Sequence, residues 1–362
     1  MSIQGVIAVN GLSAQLSVPG ITDLGEPQPI EPIFPEGSEP SRAEWEQTLR
    51  PALLERWLEV IGEPSFGEFK REVEIMGQFE APWARGTVYR QRTGPEQWQQ
   101  VVLLDPVHMP ISPRPAAVVP FYHPETMMAF DPGQGAVLTE RPNVQFARHL
   151  AEQGYVVACM EAFPYNTVPE PEVSTGFAWW RAAAEKLLAD NPRWTGIGKL
   201  VWDASRAVDL LLAQPNVDHE RVLAIGHSLG GKMAFYTTVF DDRITACISS
   251  DFGIAWSFTN WETPWYFGQQ VQREDFTLNG HHALALIAPR SFFLIAGEAD
   301  RPESWQYIRE AQRVYRLYGR EQAAGCFMHM TGHQPTEESI RAAYAWLDEQ
   351  FGLPAREWRL AL

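Results

Sequence analysis

The chain has 362 residues, and 29 Lys and Arg stand against 45 Asp and Glu, which gives a formal net charge of −16. Nucleic acids and anionic membranes are bound by clustered Lys and Arg, and no basic block is present, so neither partner is expected. Hydrophobic residues make up 45% and charged residues 20% of the chain. This balance allows a large buried core and excludes a mainly disordered protein.

Targeting and redox signals are weak in this sequence. No apolar run approaches the roughly 18 residues that a membrane span requires. The first basic residue is Arg42, so the N-terminus lacks the basic flank of a secretory signal or a transit peptide. Cys159, Cys247 and Cys326 lie in apolar, strand-like runs and are interpreted as reduced core thiols. We therefore expect a cytoplasmic protein. The sequence does not specify the oligomeric state, and an assembly of identical chains is compatible with it.

Residues 1–40 contain six prolines and almost no periodic pattern, which predicts an N-terminal arm that either lies on the body or is disordered. We expect residues 41–362 to form one domain. The segment Ser41-Arg42-Ala43-Glu44 has the form of a capping box, and the helix that follows it ends at Gly62. From residue 72 to 104 the apolar residues recur with period two, which predicts antiparallel strands.

Short apolar strands then alternate with helices. Strands are predicted at 116–121, 155–159, 222–225, 246–250, 291–296 and 326–330. Helices are predicted at 144–153, 197–214, 231–239, 302–318 and 336–350. This alternation predicts an α/β fold, in which a mostly parallel sheet carries helices on both faces.

The segment Gly226-His227-Ser228-Leu229-Gly230 follows a predicted strand and precedes a predicted helix. This placement is the one that a nucleophile elbow requires, and it would raise the Ser228 side chain above the carboxyl edge of the sheet. The backbone N–H of Leu229 would then point to the position where negative charge develops. Ser228 is therefore the candidate nucleophile.

A serine hydroxyl needs a base to accept its proton, and where the serine lies on a nucleophile elbow the base follows it late in the chain. His333 lies in Thr331-Gly332-His333-Gln334-Pro335, directly after the last predicted strand. His329 competes with it, but a residue inside the strand would point into the sheet. His333 is the candidate base.

The base in turn needs an acid that orients it and stabilises its charged form. Asp300 follows strand 291–296 and is the preferred candidate. Asp251, directly after strand 246–250, and Glu298 remain alternatives.

With these residues the chain resembles the α/β-hydrolase superfamily, and within it the dienelactone-hydrolase and acetyl-xylan-esterase-like branch of bacterial esterases. The resemblance covers roughly residues 41–352. Such enzymes usually carry a His-Gly pair after the third strand, whose loop supplies an oxyanion-hole N–H. Here that strand ends in Pro120-Phe121-Tyr122-His123-Pro124, and Pro124 has no N–H. The second oxyanion donor is therefore expected from Tyr122 or His123.

Two inserts, at about 163–196 and 251–285, are rich in aromatic residues, and inserts of this kind cap the active site in the α/β-hydrolase fold. Trp256, Trp261 and Trp265 are candidate substrate-binding residues, although aromatic side chains also fill the core of such caps.

The expected function is hydrolysis of a small-molecule carboxylic ester through an acyl-enzyme on Ser228, with no metal and no organic cofactor. Two alternatives stay open: a peptidase or amidase of the prolyl-oligopeptidase type, and a catalytically silent hydrolase fold that acts as a binding module.

Overall fold

In the computed structural model, the described residues are 29–35, 37–108, 111–173, 175–358 and 360. Residues 1–28 of the predicted arm lie outside this set. None of the helices within these ranges is both long and apolar enough to cross a membrane.

Nine strands form one sheet, and two further strands of two residues each form a small hairpin. In chain order the strands are β1 Val73–Glu80, β2 Ala84–Arg92, β3 Trp98–Pro106, β4 Arg114–Pro120, β5 Phe130–Asp131, β6 Ala136–Val137, β7 Val156–Met160, β8 Val217–His227, β9 Ala246–Ser250, β10 Ser291–Ala296 and β11 Ala324–Met328.

The main helices are α1 Arg50–Ile61, α2 Pro124–Met128, α3 Phe146–Glu152, α4 Ala178–Asp190, α5 Gly196–Leu212, α6 Leu229–Phe240, α7 Gly280–Ile287, α8 Ser304–Leu317 and α9 Glu337–Gln350. A π-helical turn, Trp45–Leu49, leads into α1, and the side chain of Ser41 accepts the N–H of Glu44 ahead of it. The predicted N-terminal helix is therefore present, with a π-helical start that its sequence did not indicate.

The strand order in the large sheet is β1-β2-β3-β7-β4-β8-β9-β10-β11. β1 to β3 pair antiparallel with one another, and β3 pairs antiparallel with β7. From β7 to β11 every pairing is parallel. This pairing confirms the predicted α/β class, a mostly parallel sheet with antiparallel lead-in strands.

Apolar side chains form one buried cluster on each face of this sheet. Along β4, β7 and β9 every residue is buried, so side chains that point to either face are covered. The five parallel contacts from β7 to β11 place the carboxyl ends of β4, β8, β9, β10 and β11 at one edge. Polar loops at this edge can converge on a single point.

The two predicted inserts lie side by side. The first contains α4, and the second contains two short 3₁₀ helices, Trp256–Phe258 and Gly268–Gln272. The ring of Trp265 stacks on Phe177 at 5.3 Å and packs against Trp180 at 6.4 Å, so that aromatic rings join the inserts.

Candidate active site

Ser228 lies at a sharp turn between β8 and α6. Its backbone has φ 55° and ψ −113°, a conformation that non-glycine residues rarely adopt. A Cβ on Gly226 would lie 2.2 Å from the carbonyl carbon of Gly230, and one on Gly230 would lie 2.2 Å from the oxygen of Pro120. Both glycines are therefore required by close backbone approach. The predicted strand–turn–helix placement of Ser228 is present.

His333 lies in the loop between β11 and α9, as the sequence predicts. Its Nε2 is 2.9 Å from Oγ of Ser228, although the two residues are 105 positions apart in the chain. The His333 side chain is 43% exposed, so a substrate can reach it. The competing residue, His329, directly follows β11, and its Nδ1 pairs with the Thr331 hydroxyl at 2.9 Å. The structure thus brings His333, and not His329, to the serine.

The acid beside His333 is Asp251, which corrects the preference for Asp300. Nδ1 of His333 is 2.5 Å from Oδ2 of Asp251. Asp251 directly follows β9, and its N–H donates to the oxygen of Ile295 in the adjacent β10 at 2.8 Å. Its backbone has φ 45°, in the left-handed region. Asp251 is one of the two alternatives that the sequence offers, and no local feature of the sequence ranks it above Asp300.

Asp300 is fully buried and binds a different set of groups. Its carboxylate accepts the N–H groups of Phe252, Gly253 and Ile254 at 2.7–2.8 Å and the hydroxyl of Ser304 at 3.1 Å. It therefore holds the loop that follows Asp251. The third candidate, Glu298, has an exposed side chain, and only its backbone N–H reaches Asp251, at 3.2 Å.

The Asp251 carboxylate is held in its ionised form. Burial acts to raise its pKa, but hydrogen bonds from His333 and from backbone N–H groups of the 297–300 loop outweigh that effect and lower the pKa below its usual value. A negative charge beside Nδ1 favours the tautomer that carries its proton there. Nε2 is then free to accept the proton of Ser228.

His227 packs beneath His333, with the two ring centroids 4.6 Å apart. Its Nδ1 pairs with the hydroxyl of Ser250 at 3.1 Å. Burial lowers the pKa of His227 to about 3, and the neighbouring His333 ring lowers it further. His227 is therefore neutral and adds no positive charge beneath His333.

The predicted oxyanion donors lie around the same turn. As the first residue of α6, Leu229 has an N–H without an acceptor inside the helix. The contact between Gly230 and the Pro120 oxygen places the end of β4 beside the turn. Tyr122 follows it and packs on Trp180 at 5.7 Å, while His123 is exposed and lies over Tyr165 at 4.3 Å. Burial raises the pKa of Tyr122, so its hydroxyl retains a proton to donate. The donor roles of Leu229, Tyr122 and His123 stay a prediction.

Two of the three predicted substrate-binding tryptophans, Trp261 and Trp265, are buried in the cap, which corrects the expectation for these two. Trp261 has no exposed surface, and its indole N–H donates to Gly253 at 2.8 Å. Trp265 is 6% exposed. Trp256 is half-buried and packs on Trp57 and Trp261. Packing therefore accounts for Trp261 and Trp265, and a substrate-binding role for Trp256 stays a prediction.

Among the residues that the structure describes, no group of three or more His, Cys, Asp or Glu is arranged to hold a metal ion.

No protein-family model matches the chain. Its sequence is 24% identical over 228 residues to YtaP of Bacillus subtilis (strain 168), which bears the name of a hydrolase, and the match spans 59% of this chain and 72% of YtaP. It is 23% identical over 191 residues to the carbohydrate esterase MZ0003 of an unknown prokaryotic organism, across 46% of this chain and 43% of that protein.

The fold is similar to that of a glucuronoyl esterase from Solibacter usitatus. The TM-score is 0.69 at 18% sequence identity, and the match covers 93% of this chain and 99% of the other. Almost the whole of each chain is aligned. The chain has the α/β-hydrolase fold, in the form that such esterases also have.

Proposed function

We propose that this protein is a serine hydrolase that cleaves carboxylic esters through an acyl-enzyme on Ser228. One observation carries the proposal: Ser228, His333 and Asp251 form a continuous hydrogen-bonded series, with distances of 2.9 and 2.5 Å, at the carboxyl edge of the sheet. This arrangement activates a serine hydroxyl. The esterase and hydrolase names of the similar proteins support the same chemistry.

The first half of the reaction forms the acyl-enzyme. Nε2 of His333 takes the proton from Oγ of Ser228 as Oγ bonds to the carbonyl carbon of the ester. The Asp251 carboxylate accepts the N–H at Nδ1 and stabilises the imidazolium. The Leu229 N–H and a donor at Tyr122 or His123 receive the developing oxyanion. The bond to the alcohol then breaks, and His333 gives its proton to the departing oxygen.

The second half releases the acid. Water gives a proton to Nε2 of His333 and bonds to the acyl carbon. The bond to Oγ then breaks, and the proton returns from His333 to Ser228. The products are one alcohol and one carboxylic acid, and the side chains regain their starting protonation.

We further propose that the ester belongs to a carbohydrate. The support is the carbohydrate esterase name of one relative and the glucuronoyl esterase name of the structural neighbour. Sugar esters divide into two chemical types: those in which the sugar supplies the alcohol, as in acetylated sugars, and those in which a sugar acid supplies the acyl group.

The test of the chemistry uses nitrophenyl esters of increasing acyl length and a fluorophosphonate probe. Wild-type protein is expected to hydrolyse the short esters and to be labelled on Ser228, whereas Ser228→Ala loses both properties. Ser65→Ala, which changes an exposed serine, serves as the matched control and keeps both. Folded wild-type protein that remains unlabelled would support the silent binding module, and cleavage of aminoacyl arylamides without ester cleavage would support the amidase.

The test of the substrate class compares acetylated sugars with methyl esters of sugar acids, each against a simple ester that lacks the sugar. A carbohydrate esterase is expected to give a higher kcat/KM on one of the two sugar series than on its simple counterpart. Equal values on sugar and simple esters would contradict the carbohydrate proposal and leave the ester chemistry intact.

A further inference from the structure

Reciprocal hydrogen bonds join two loops at the carboxyl edge of the sheet, since a carboxylate in each loop accepts backbone N–H groups of the other. Asp251, in the loop after β9, accepts the N–H groups of Gly297, Glu298 and Asp300 at 3.0, 3.2 and 2.8 Å. Asp300, in the loop after β10, accepts three N–H groups that directly follow Asp251. Each carboxylate therefore caps the loop that carries the other.

The two carboxylates differ in what else they bind. Asp251 also accepts the N–H of His333, whereas the fourth group on Asp300 is the hydroxyl of Ser304. Asp300 has no exposed surface. Burial, together with the nearby Asp251 charge, raises the pKa of Asp300 to about 6, and the hydrogen bonds from the 252–254 loop and Ser304 oppose that rise. At neutral pH Asp300 is mostly ionised, as an acceptor of three N–H groups needs to be.

The backbone at Asp251 needs such support. A φ of 45° is strained for a residue with a Cβ, and strained conformations persist only where the surroundings over-determine them. The N–H of Asp251 is fixed by Ile295. Of the described side chains, only Asp300 accepts a hydrogen bond from the next three N–H groups.

We propose that Asp300 is a positioning residue for ester hydrolysis: by holding the 252–254 loop it fixes the Asp251 carboxylate on Nδ1 of His333, and so keeps Nε2 in line with Ser228. The inference rests on the proposed function. The hydrogen bonds of the Asp300 carboxylate go to the 252–254 loop and to Ser304, and not to Ser228 or His333, so the proposed effect passes through Asp251.

The test is a double-mutant cycle of Asp300→Asn, Asp251→Asn and the double variant on a nitrophenyl ester. An amide at position 300 keeps the shape but replaces one acceptor oxygen with an NH₂ group that faces N–H donors. Because a misplacement of about 1 Å can lower a rate about 100-fold, Asp300→Asn is expected to lose 10- to 100-fold in kcat with little change in KM. The double variant is expected to be no slower than Asp251→Asn, since both changes act through one contact.

A second readout separates positioning from a general loss of folded protein. When the Asp251 charge moves away, the imidazolium form of His333 loses its stabilising partner, so the acidic limb of the kcat/KM profile is expected to move to lower pH in Asp300→Asn. A loss of folded protein would lower the profile without moving it. Asp275→Asn, which alters an exposed acid in the cap, is the matched control and retains the wild-type profile.

Ser304→Ala provides a milder variant for the case in which Asp300→Asn does not fold. It removes one hydrogen bond to Asp300 and is expected to lower kcat a few-fold, again with no further loss when combined with Asp251→Asn. Losses that multiply in the double variants, or wild-type kcat in the folded single variants, would overturn the positioning role. Wild-type protein that neither cleaves esters nor reacts with a fluorophosphonate would instead contradict the proposed function.

Discussion

Three carboxyl groups in or near the site have pKa values that their surroundings shift in opposite directions. Asp251 is kept ionised by the hydrogen bonds that it accepts, whereas burial dominates at Asp300 and at Glu161. Glu161 directly follows β7, and its Oε1 accepts the N–H of Gln100 at 2.8 Å. The same residue type therefore has a lowered pKa at one loop and a raised pKa at the next.

Glu161→Gln is expected to change how stability depends on pH. Burial, with the charges of Asp203 and Glu125, raises the pKa of Glu161 to about 7 from 4.5. Between these values the native state keeps a proton that the unfolded chain has released, so wild-type stability falls as pH rises. The variant lacks this loss. Near pH 4 the two proteins are expected to be equally stable, and at pH 8 the variant is expected to be more stable by up to about 3 kcal/mol.

Urea unfolding from pH 4 to pH 8 measures this difference. Glu68→Gln, which alters an exposed carboxylate, is the control and should show no such trend. A difference between Glu161→Gln and wild type that stays constant across this range would show that Glu161 does not titrate as described.

At the scale of elements, the turn between β8 and α6 is fixed by backbone contact rather than by side chains. A Cβ at Gly230 would lie 2.2 Å from the Pro120 oxygen, at the end of β4. The Pro120 oxygen and the Gly230 Cα belong to the backbone and cannot rotate away, so β4 and α6 must separate to admit a methyl group at position 230. The same separation would move the Leu229 N–H away from the loop at Tyr122.

Gly230→Ala is therefore expected to lower the free energy of unfolding by at least about 1–3 kcal/mol and to lower kcat/KM on a nitrophenyl ester. Gly67→Ala is the matched control, because its Cβ would meet no atom within 4 Å. It should change stability by no more than about 0.5 kcal/mol. Urea unfolding and ester kinetics on both variants measure this contrast, and equal behaviour of the two would refute the close-contact explanation.

At the scale of the whole molecule, the described part of the predicted arm lies on the body and joins distant parts of the chain. The N–H of Ile33 donates to Glu310 in α8 at 2.8 Å, and Arg313 donates to the oxygen of Phe34 at 3.0 Å. Phe34 is 2% exposed and packs edge-on against Trp45 at 5.7 Å. Residues 33 and 34 thus contact both α8 and the π-helical turn that leads into α1.

Phe34→Ala is expected to lower the free energy of unfolding by about 3–5 kcal/mol, since it empties a buried aromatic position. Its contacts do not include Ser228, so kcat on a nitrophenyl ester should be unchanged in folded protein. Ile75→Ala, at a 64% exposed strand position, is the control and should change stability little. An unchanged urea midpoint in Phe34→Ala would show that the segment does not contribute to stability.

Local patterns predicted much of this molecule. The strands at 246–250 and 291–296 begin and end where the sequence places them, and the helix at 336–350 differs by one residue. The predicted strand at 326–330 lies two residues early, at Ala324–Met328, which puts His329 just beyond its end. The pattern missed α4 inside the first insert, because two of its four buried residues are alanines, which give a weak apolar period.

The sequence by itself determined the order of strands and helices, the turn at Ser228 and the late loop that carries His333. These depend on neighbouring residues, through hydrophobic period and turn chemistry. Only the tertiary structure decided between Asp251 and Asp300, and only it showed that Trp261 is buried. The physical reason is that adjacent parallel strands end at one edge, where several carboxylates fall within reach of one imidazole. The choice among them depends on backbone N–H donors from chain segments about 50 residues away and on the left-handed φ of Asp251.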